Sequence, residues 1–231
     1  MHHLNNLAKN NAKDAQNMTY TQPKAQLVLA SQSQYKQKQL QTLGLPFSTF
    51  TPNIDESAKP EEHAKALAQR LATQKAQAWQ PPHTTSDENN VYSVIGSDQT
   101  ALCGSTLLGK PHTTPNAIKQ LELCSGKTVT FYSAITLLET HTHSLQEYVA
   151  TTHVSFKTLS RAQIERYVQR DQPLDCAGSF KSEGLGIALF TAIKSDDPTA
   201  LVGLPLIGVC NLLQNLADKH TIYQPLTPFG L

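Results

Sequence analysis

The sequence contains no stretch approaching the roughly 18–20 consecutive apolar residues of a membrane-spanning helix, which argues against a helical membrane protein. It also lacks an excess of either charge. Lys and Arg number 19 against 18 Asp and Glu, for a net charge of +1, so no bulk field draws the chain to nucleic acid or to an anionic membrane. Any affinity for phosphate must come from a few placed cations. Cysteine is scarce: Cys103, Cys124, Cys176 and Cys210 form no C-x-x-C pair and no Cys/His cluster with zinc-ligand spacing. With no secretory signal read, these residues are expected to be free thiols in a reducing, cytoplasmic setting. What remains is a chain of 231 residues, 39% hydrophobic, long enough for one sizeable core. Residues 1–25 are rich in Asn, Gln, Lys and His, the composition of a disordered extension. Residues 26–217 read as one domain and residues 218–231 as a polar tail.

Leu27-Val28-Leu29-Ala30 suits a buried strand and ends at Ser31. A polar helix follows, with Leu40 and Leu43 on one face and Gly44 as its stop. Phe47–Phe50 reads as a second strand leading into Asp55-Glu56. Pro60-Glu61-Glu62 is expected to open a long helix, because proline and acids suit a first turn. Ala64, Leu67, Ala68, Leu71 and Ala78 form its apolar stripe, and Lys75 falls on the same stripe. Residues 80–90 read as a polar loop. A strand over Val91–Gly96 runs into Ser97-Asp98-Gln99. A helix is expected from Thr114 to near Gly126, followed by strands at Thr128–Leu138 and Glu147–Leu159 that pair as a meander. Ser160 and Gln163 form a capping box for a helix to about Arg170, and Pro205–Leu216 is the last clear helix. Strands alternating with helices, then paired strands, predict an α/β fold with a mixed twisted sheet flanked by helices, two lobes enclosing a central cleft.

Gly104 to Lys110 has P-loop spacing up to its lysine. Pro111 then stands where the magnesium-holding hydroxyl belongs, and the segment looks like a hairpin. The more informative pattern is that Ser31, Asp98 and Gln99 directly follow apolar strands, where ligands gather in open α/β sheets. Ser31 reads equally as a plain helix cap. Lys75 on an apolar stripe must either snorkel to solvent or meet a buried anion. Lys110, held extended by Pro111, reads also as a surface lysine, and Asp98 also as a turn residue.

Five segments occur in order: Leu29-Ala30-Ser31-x-Ser33, Ile95-Gly96-Ser97-Asp98-Gln99, Gly109-Lys110-Pro111, Cys176 through Gly186, and Val202-Gly203-Leu204-Pro205-Leu206. Together they resemble the Maf family of nucleotide pyrophosphatases, over about Leu27 to Leu216. The resemblance implies a deep cleft in a mixed α/β fold, often as a homodimer. It also implies cleavage of the α–β phosphoanhydride of a nucleoside triphosphate, assisted by a divalent cation such as magnesium, manganese or cobalt. Asp98 takes the place of the general base and shares a metal with Glu56, which otherwise reads as a charge approaching a helix. Ser31, Lys36, Lys75 and Lys110 would surround the triphosphate. Gly-Ser-Asp-Gln and Ser-Phe-Lys-Ser-Glu-Gly resemble the branch acting on 7-methyl-GTP. The dTTP/UTP branch carries Ala-Asp-Thr, and Gln where Glu183 stands. Tyr35 would stack on the cationic base, with Glu183 and Gln99 reading its edge and Gly184 and Gly186 letting backbone approach it. The first loop departs from the family's Ser-Pro-x-Arg. Here it reads Ser33-Gln34-Tyr35-Lys36, which keeps the charge, gives up the guanidinium fork and predicts a looser loop. Two rival readings are a pyrophosphatase for another nucleotide and a weakly catalytic nucleotide-binding regulator.

Overall fold

The computed structural model describes residues 24–81 and 90–228. The expected disorder of the N-terminal extension, most of the 80–90 loop and residues 229–231 lie outside the described residues.

β1 (Ala25–Ala30) is flanked by two parallel neighbours, β2 (Phe47–Phe50) and β3 (Val91–Cys103). β4 (Thr106–Leu108) folds back on the end of β3 as a hairpin. The far side of β3 pairs antiparallel with β5 (Thr128–Glu139), β5 with β6 (Ser144–Phe156), and β6 with β7 (Phe190–Ser195). The sheet therefore runs β2-β1-β3-β5-β6-β7, parallel on one side and a meander on the other. Among the described residues five α-helices flank it: α1 (Gln34–Gln41), α2 (Ala64–Gln77), α3 (Thr114–Cys124), α4 (Arg161–Asp171) and α5 (Leu206–Lys219). None of the described helices is long and apolar enough to cross a membrane.

Strand alternation divides the core. Leu27, Leu29 and Ile95 face α1 and α5 through Leu40, Val209, Leu213 and Leu216. Val28, Ala30 and Val94 pack on the other face with Ala76 of α2 and Trp79. A separate cluster joins the far end of β3 (Ala101, Cys103) to α3, α4 and a set of edge-on phenylalanines, Phe131, Phe156, Phe180 and Phe190. Each fully enclosed leucine or isoleucine contributes about 1.5–3 kcal/mol relative to exposure. Between these apolar masses lies a buried polar stretch, Ser97, Asp98, Thr100 and Ser133, on adjoining strands β3 and β5. This is the seam between two lobes.

Several local expectations are corrected. The long helix begins at Ala64, not at Pro60. Glu61 has a left-handed φ of 58°, which no α-helix continues, and the Glu62 carboxylate is gripped by Arg70 at 2.7 and 2.8 Å. β3 does not end at Gly96. Its pairing with β1 stops there, but β5 goes on pairing from Ser97 to Cys103, so Asp98 and Gln99 sit inside a long strand. They still lie just past the end of β1, at the edge of the parallel half. β6 starts at Ser144, three positions before the expected Glu147, because the Glu139 carboxylate accepts from the Thr142 and His141 amides at 2.7 Å and fixes the turn early. The segment after α5, expected to be a polar tail, forms a 3-10 turn over Thr221–Leu226 that buries Tyr223 and Leu226. The Tyr223 hydroxyl donates to Glu139.

Candidate active site

Asp98 is reached by α2 because of Gly96. A Cβ at Gly96 would lie 2.0 Å from the Ala72 carbonyl oxygen, so only glycine lets the helix rest directly on β3. That contact carries Lys75, one turn along α2, over the strand. Its Nζ lies 2.6 Å from Asp98 Oδ1 and 2.7 Å from Glu56 Oε1. The Lys75 and Asp98 side chains are only 10% and 12% exposed, whereas Glu56 is 60% exposed. Lys75 therefore meets one buried anion, Asp98, and one exposed anion, Glu56, and does not snorkel. Burial alone would lower its pKa, but Asp98 and Glu56 hold it above the ordinary lysine value. For Glu56, burial pushes upward, and Lys75, Lys110 and Lys36 outweigh it and bring the carboxyl below its usual range.

Lys36 comes from the first turn of α1. Ser33 caps that helix by accepting from the Lys36 amide at 3.4 Å, while Ser31 Oγ accepts from the Ser33 amide at 3.1 Å. The cap is thus Ser33, and Ser31 acts two residues earlier. The first loop leads directly into α1, with Gln34 as the first helical residue. The Lys36 ammonium points inward and donates to the Ser97 carbonyl at 2.9 Å, and its stem lies on Gly203. Desolvation lowers its pKa from 10.5 to about 8, an effect that Asp98 opposes and Lys75 reinforces. Lys110 sits exposed after β4, close enough for its charge to act on Glu56 and Lys36.

Toward the other end, the Tyr35 hydroxyl is raised well above its ordinary pKa, first by burial and then by Cys176, Asp175 and Glu183 beside it. Glu183 is exposed on the loop before a 3-10 turn at Leu185–Leu189. Gln99 lines the cavity, but its amide nitrogen is already engaged. It donates to Ser133 Oγ at 2.8 Å and to the Ala200 carbonyl at 2.9 Å. All nine residues singled out from the sequence, Ser31, Tyr35, Lys36, Glu56, Lys75, Asp98, Gln99, Lys110 and Glu183, line one cavity of about 950 Å³. That volume is at the upper end of small-molecule sites, with room for a nucleotide.

Sequence reasoning gave no role to the wall formed by residues 199–204. Gln39 clasps it by donating to the Thr199 carbonyl at 2.7 Å and accepting from the Leu204 amide at 2.9 Å. Buried Asp197 accepts from the Thr199 and Ile207 amides at 2.9 and 2.7 Å. The motif Val202-Gly203-Leu204-Pro205-Leu206 was the available signal for this wall.

Glu56 and Asp98, held within the span of one ammonium, form an oxygen-only donor pair. Magnesium-like ions are commonly held by one or two carboxylates, with substrate phosphates and water completing the shell. The pair fits such an ion. Among the described residues no group of three or more His, Cys, Asp or Glu is placed to hold a metal.

Residues 26–216 match the family described as Maf-like protein. The chain is 48% identical over 202 residues to a 7-methyl-GTP pyrophosphatase of Saccharophagus degradans, covering 87% of this chain and 97% of that protein. It is 46% identical over 204 residues to the protein of that name from Pseudoalteromonas translucida, covering 88% and 98%. With the Pseudomonas fluorescens protein of that name it shares 44% identity over 187 residues, covering 81% and 94%.

Proposed function

The chain belongs to the Maf family, and from that premise we propose that it hydrolyses 7-methyl-GTP to 7-methyl-GMP and diphosphate. The observation that carries the reading is the Glu56–Lys75–Asp98 cluster, set in the wall of a cavity to which Lys36 and Lys110 add two further cations. Phosphoryl transfer depends mainly on positioning and on neutralising charge, and this wall supplies both.

Asp98 is the general base. Lys75 fixes one oxygen of its carboxylate, and the other takes a proton from the water that attacks the α-phosphorus. The α–β P–O bond breaks and the electron pair leaves on diphosphate, next to the lysine ammonium groups. Glu56 and Asp98 would hold a divalent cation together with the phosphates, and the ion would supply positive charge where the leaving group gains negative charge. Lys36 orients the phosphates from the first turn of α1, and Lys110 closes over them from the rim. Tyr35 and Glu183 receive the methylated base: the ring stacks on Tyr35, and the carboxylate accepts from its N–H edge. The four cysteines of the described residues are free thiols, which supports a cytoplasmic setting.

Diphosphate release measured with 7-methyl-GTP, GTP, dTTP and UTP, each with magnesium, manganese and cobalt, tests the reading. The expected result is the highest kcat/KM for 7-methyl-GTP. A preference for dTTP or UTP refutes the substrate, and release from none of them refutes the activity.

A further inference from the structure

Lys181 stands in the Ser-Phe-Lys-Ser-Glu-Gly motif two residues before Glu183, and its charge invites assignment as another phosphate ligand. Its contacts lead elsewhere. The Lys181 ammonium donates to the Asp171 carbonyl at 3.0 Å, at the C-terminus of α4, where the helix dipole favours a cation. Its backbone amide donates to the Tyr167 hydroxyl at 3.0 Å, and Tyr167 is a buried residue of the same helix. The Lys181 carbonyl in turn accepts from the Gly184 amide at 3.2 Å.

The glycines complete the arrangement. A Cβ at Gly184 would sit 3.2 Å from the Asp171 carboxylate, and one at Gly186 would sit 2.4 Å from the Lys181 carbonyl oxygen. Both glycines, expected to admit a base, instead face protein. They let the 181–186 loop close on itself and on α4. The Asp171 carboxylate is partly buried there beside the Tyr167 hydroxyl, whose pKa is raised first by burial and further by that charge.

We propose that Lys181, with Tyr167, is a positioning residue for nucleotide selectivity: it fastens the loop carrying Glu183 to α4 and thereby sets where that carboxylate meets the base. This rests on the reading of Glu183 as the base-recognising group. Lys181 makes no contribution to phosphate binding in this account, which separates it from Lys36, Lys75 and Lys110.

The test is to compare wild type, Lys181→Met, Lys181→Arg and Tyr167→Phe. Each is measured for kcat and KM on 7-methyl-GTP, GTP, dTTP and UTP and for inhibition by inorganic tripolyphosphate, which has no base. In Lys181→Met the KM of the preferred nucleotide should rise about tenfold, roughly the scale of one lost selectivity contact. The less favoured nucleotides and the tripolyphosphate Ki should move less than about twofold on the same scale. Tyr167→Phe should shift in the same direction, and Lys181→Arg should restore most of the selectivity. A tripolyphosphate Ki that rises in step with KM makes Lys181 a phosphate ligand and overturns the proposal, as does undiminished selectivity in Lys181→Met. If wild type prefers a nucleotide other than 7-methyl-GTP, the substrate reading fails, while loss of that other preference in Lys181→Met still supports the positioning role. A wild-type profile with no preference overturns both.

Discussion

At one end of the cavity Asp98, Lys75 and Lys36 project from β3, α2 and α1, each tied to another charge or to backbone within 3 Å. At the other end Glu183 sits exposed on a loop held to the fold through Lys181 and α4. Tyr35 and Lys36 are neighbours on α1, yet one faces the acids around Glu183 and the other faces Ser97, so the first turn of that helix joins the two ends. The difference separates two demands. Bond cleavage needs groups that do not move, and these stand on regular elements under strong mutual constraint. Choosing a base needs a surface that can change without disturbing the chemistry, and that surface is a loop.

If this division is correct, substitutions at the rigid end should act on kcat and those at the loop end on selectivity. The largest effect is expected from Asp98→Asn. Its kcat should fall by about 10³-fold, within the range for loss of a general base, while nucleotide affinity measured by equilibrium binding stays close to wild type. Near-normal turnover would remove Asp98 from its role.

Lys75→Met should lower kcat/KM by about 100-fold, the scale for loss of one preorganised charge at the reacting centre. The same change leaves Glu56 and Asp98 without the ammonium between them. Manganese binding to the nucleotide-free protein, followed by calorimetry, should then tighten by about tenfold as the two carboxylates seek another cation. Weaker manganese binding would show that Lys75 is not acting as an internal counter-ion there.

Lys36 provides a pH test. Its ammonium is charged below its depressed pKa of about 8 and neutral above it, so kcat/KM should decline as pH rises through 8 while the phosphates lose a partner. Lys36→Arg keeps its charge throughout that range and should flatten the decline. A limb that persists unchanged in the arginine variant belongs to another group. The smallest effect is expected from Gln99→Leu. Loss of its hydrogen bonds to Ser133 and the Ala200 carbonyl should destabilise the protein by about 1–2 kcal/mol in chemical denaturation.

Five of the nine cavity residues, Ser31, Asp98, Gln99, Lys110 and Glu183, were legible in the five motifs. Tyr35 and Lys36 followed from the first loop beside one of them, Lys75 from its place on an apolar stripe, and Glu56 from the acidic position that the resemblance implies, while the mixed sheet was legible from the order of strands and helices. What sequence did not reveal depended on distant partners. The length of β3 is set by β5, a later strand that continues pairing beyond Gly96, from Ser97 with Ile135 to Cys103 with Val129. The start of α2 depends on Arg70 drawing Glu62 out of any helical first turn. Tyr223 reads as part of a polar tail until Glu139, 84 residues earlier, is seen to receive its hydroxyl. Gln99 and Lys181 show the same limit within motifs. Their presence was visible, but their partners on the 199–204 wall and on α4 decide what each does.

The central claim is that the Asp98 cluster addresses the α–β anhydride and no other bond. Product analysis after complete conversion of 7-methyl-GTP, resolving nucleoside mono- and diphosphates and both inorganic phosphates, tests it most directly. The account predicts 7-methyl-GMP and diphosphate in equal amounts, with no orthophosphate. Accumulation of 7-methyl-GDP with orthophosphate would contradict it.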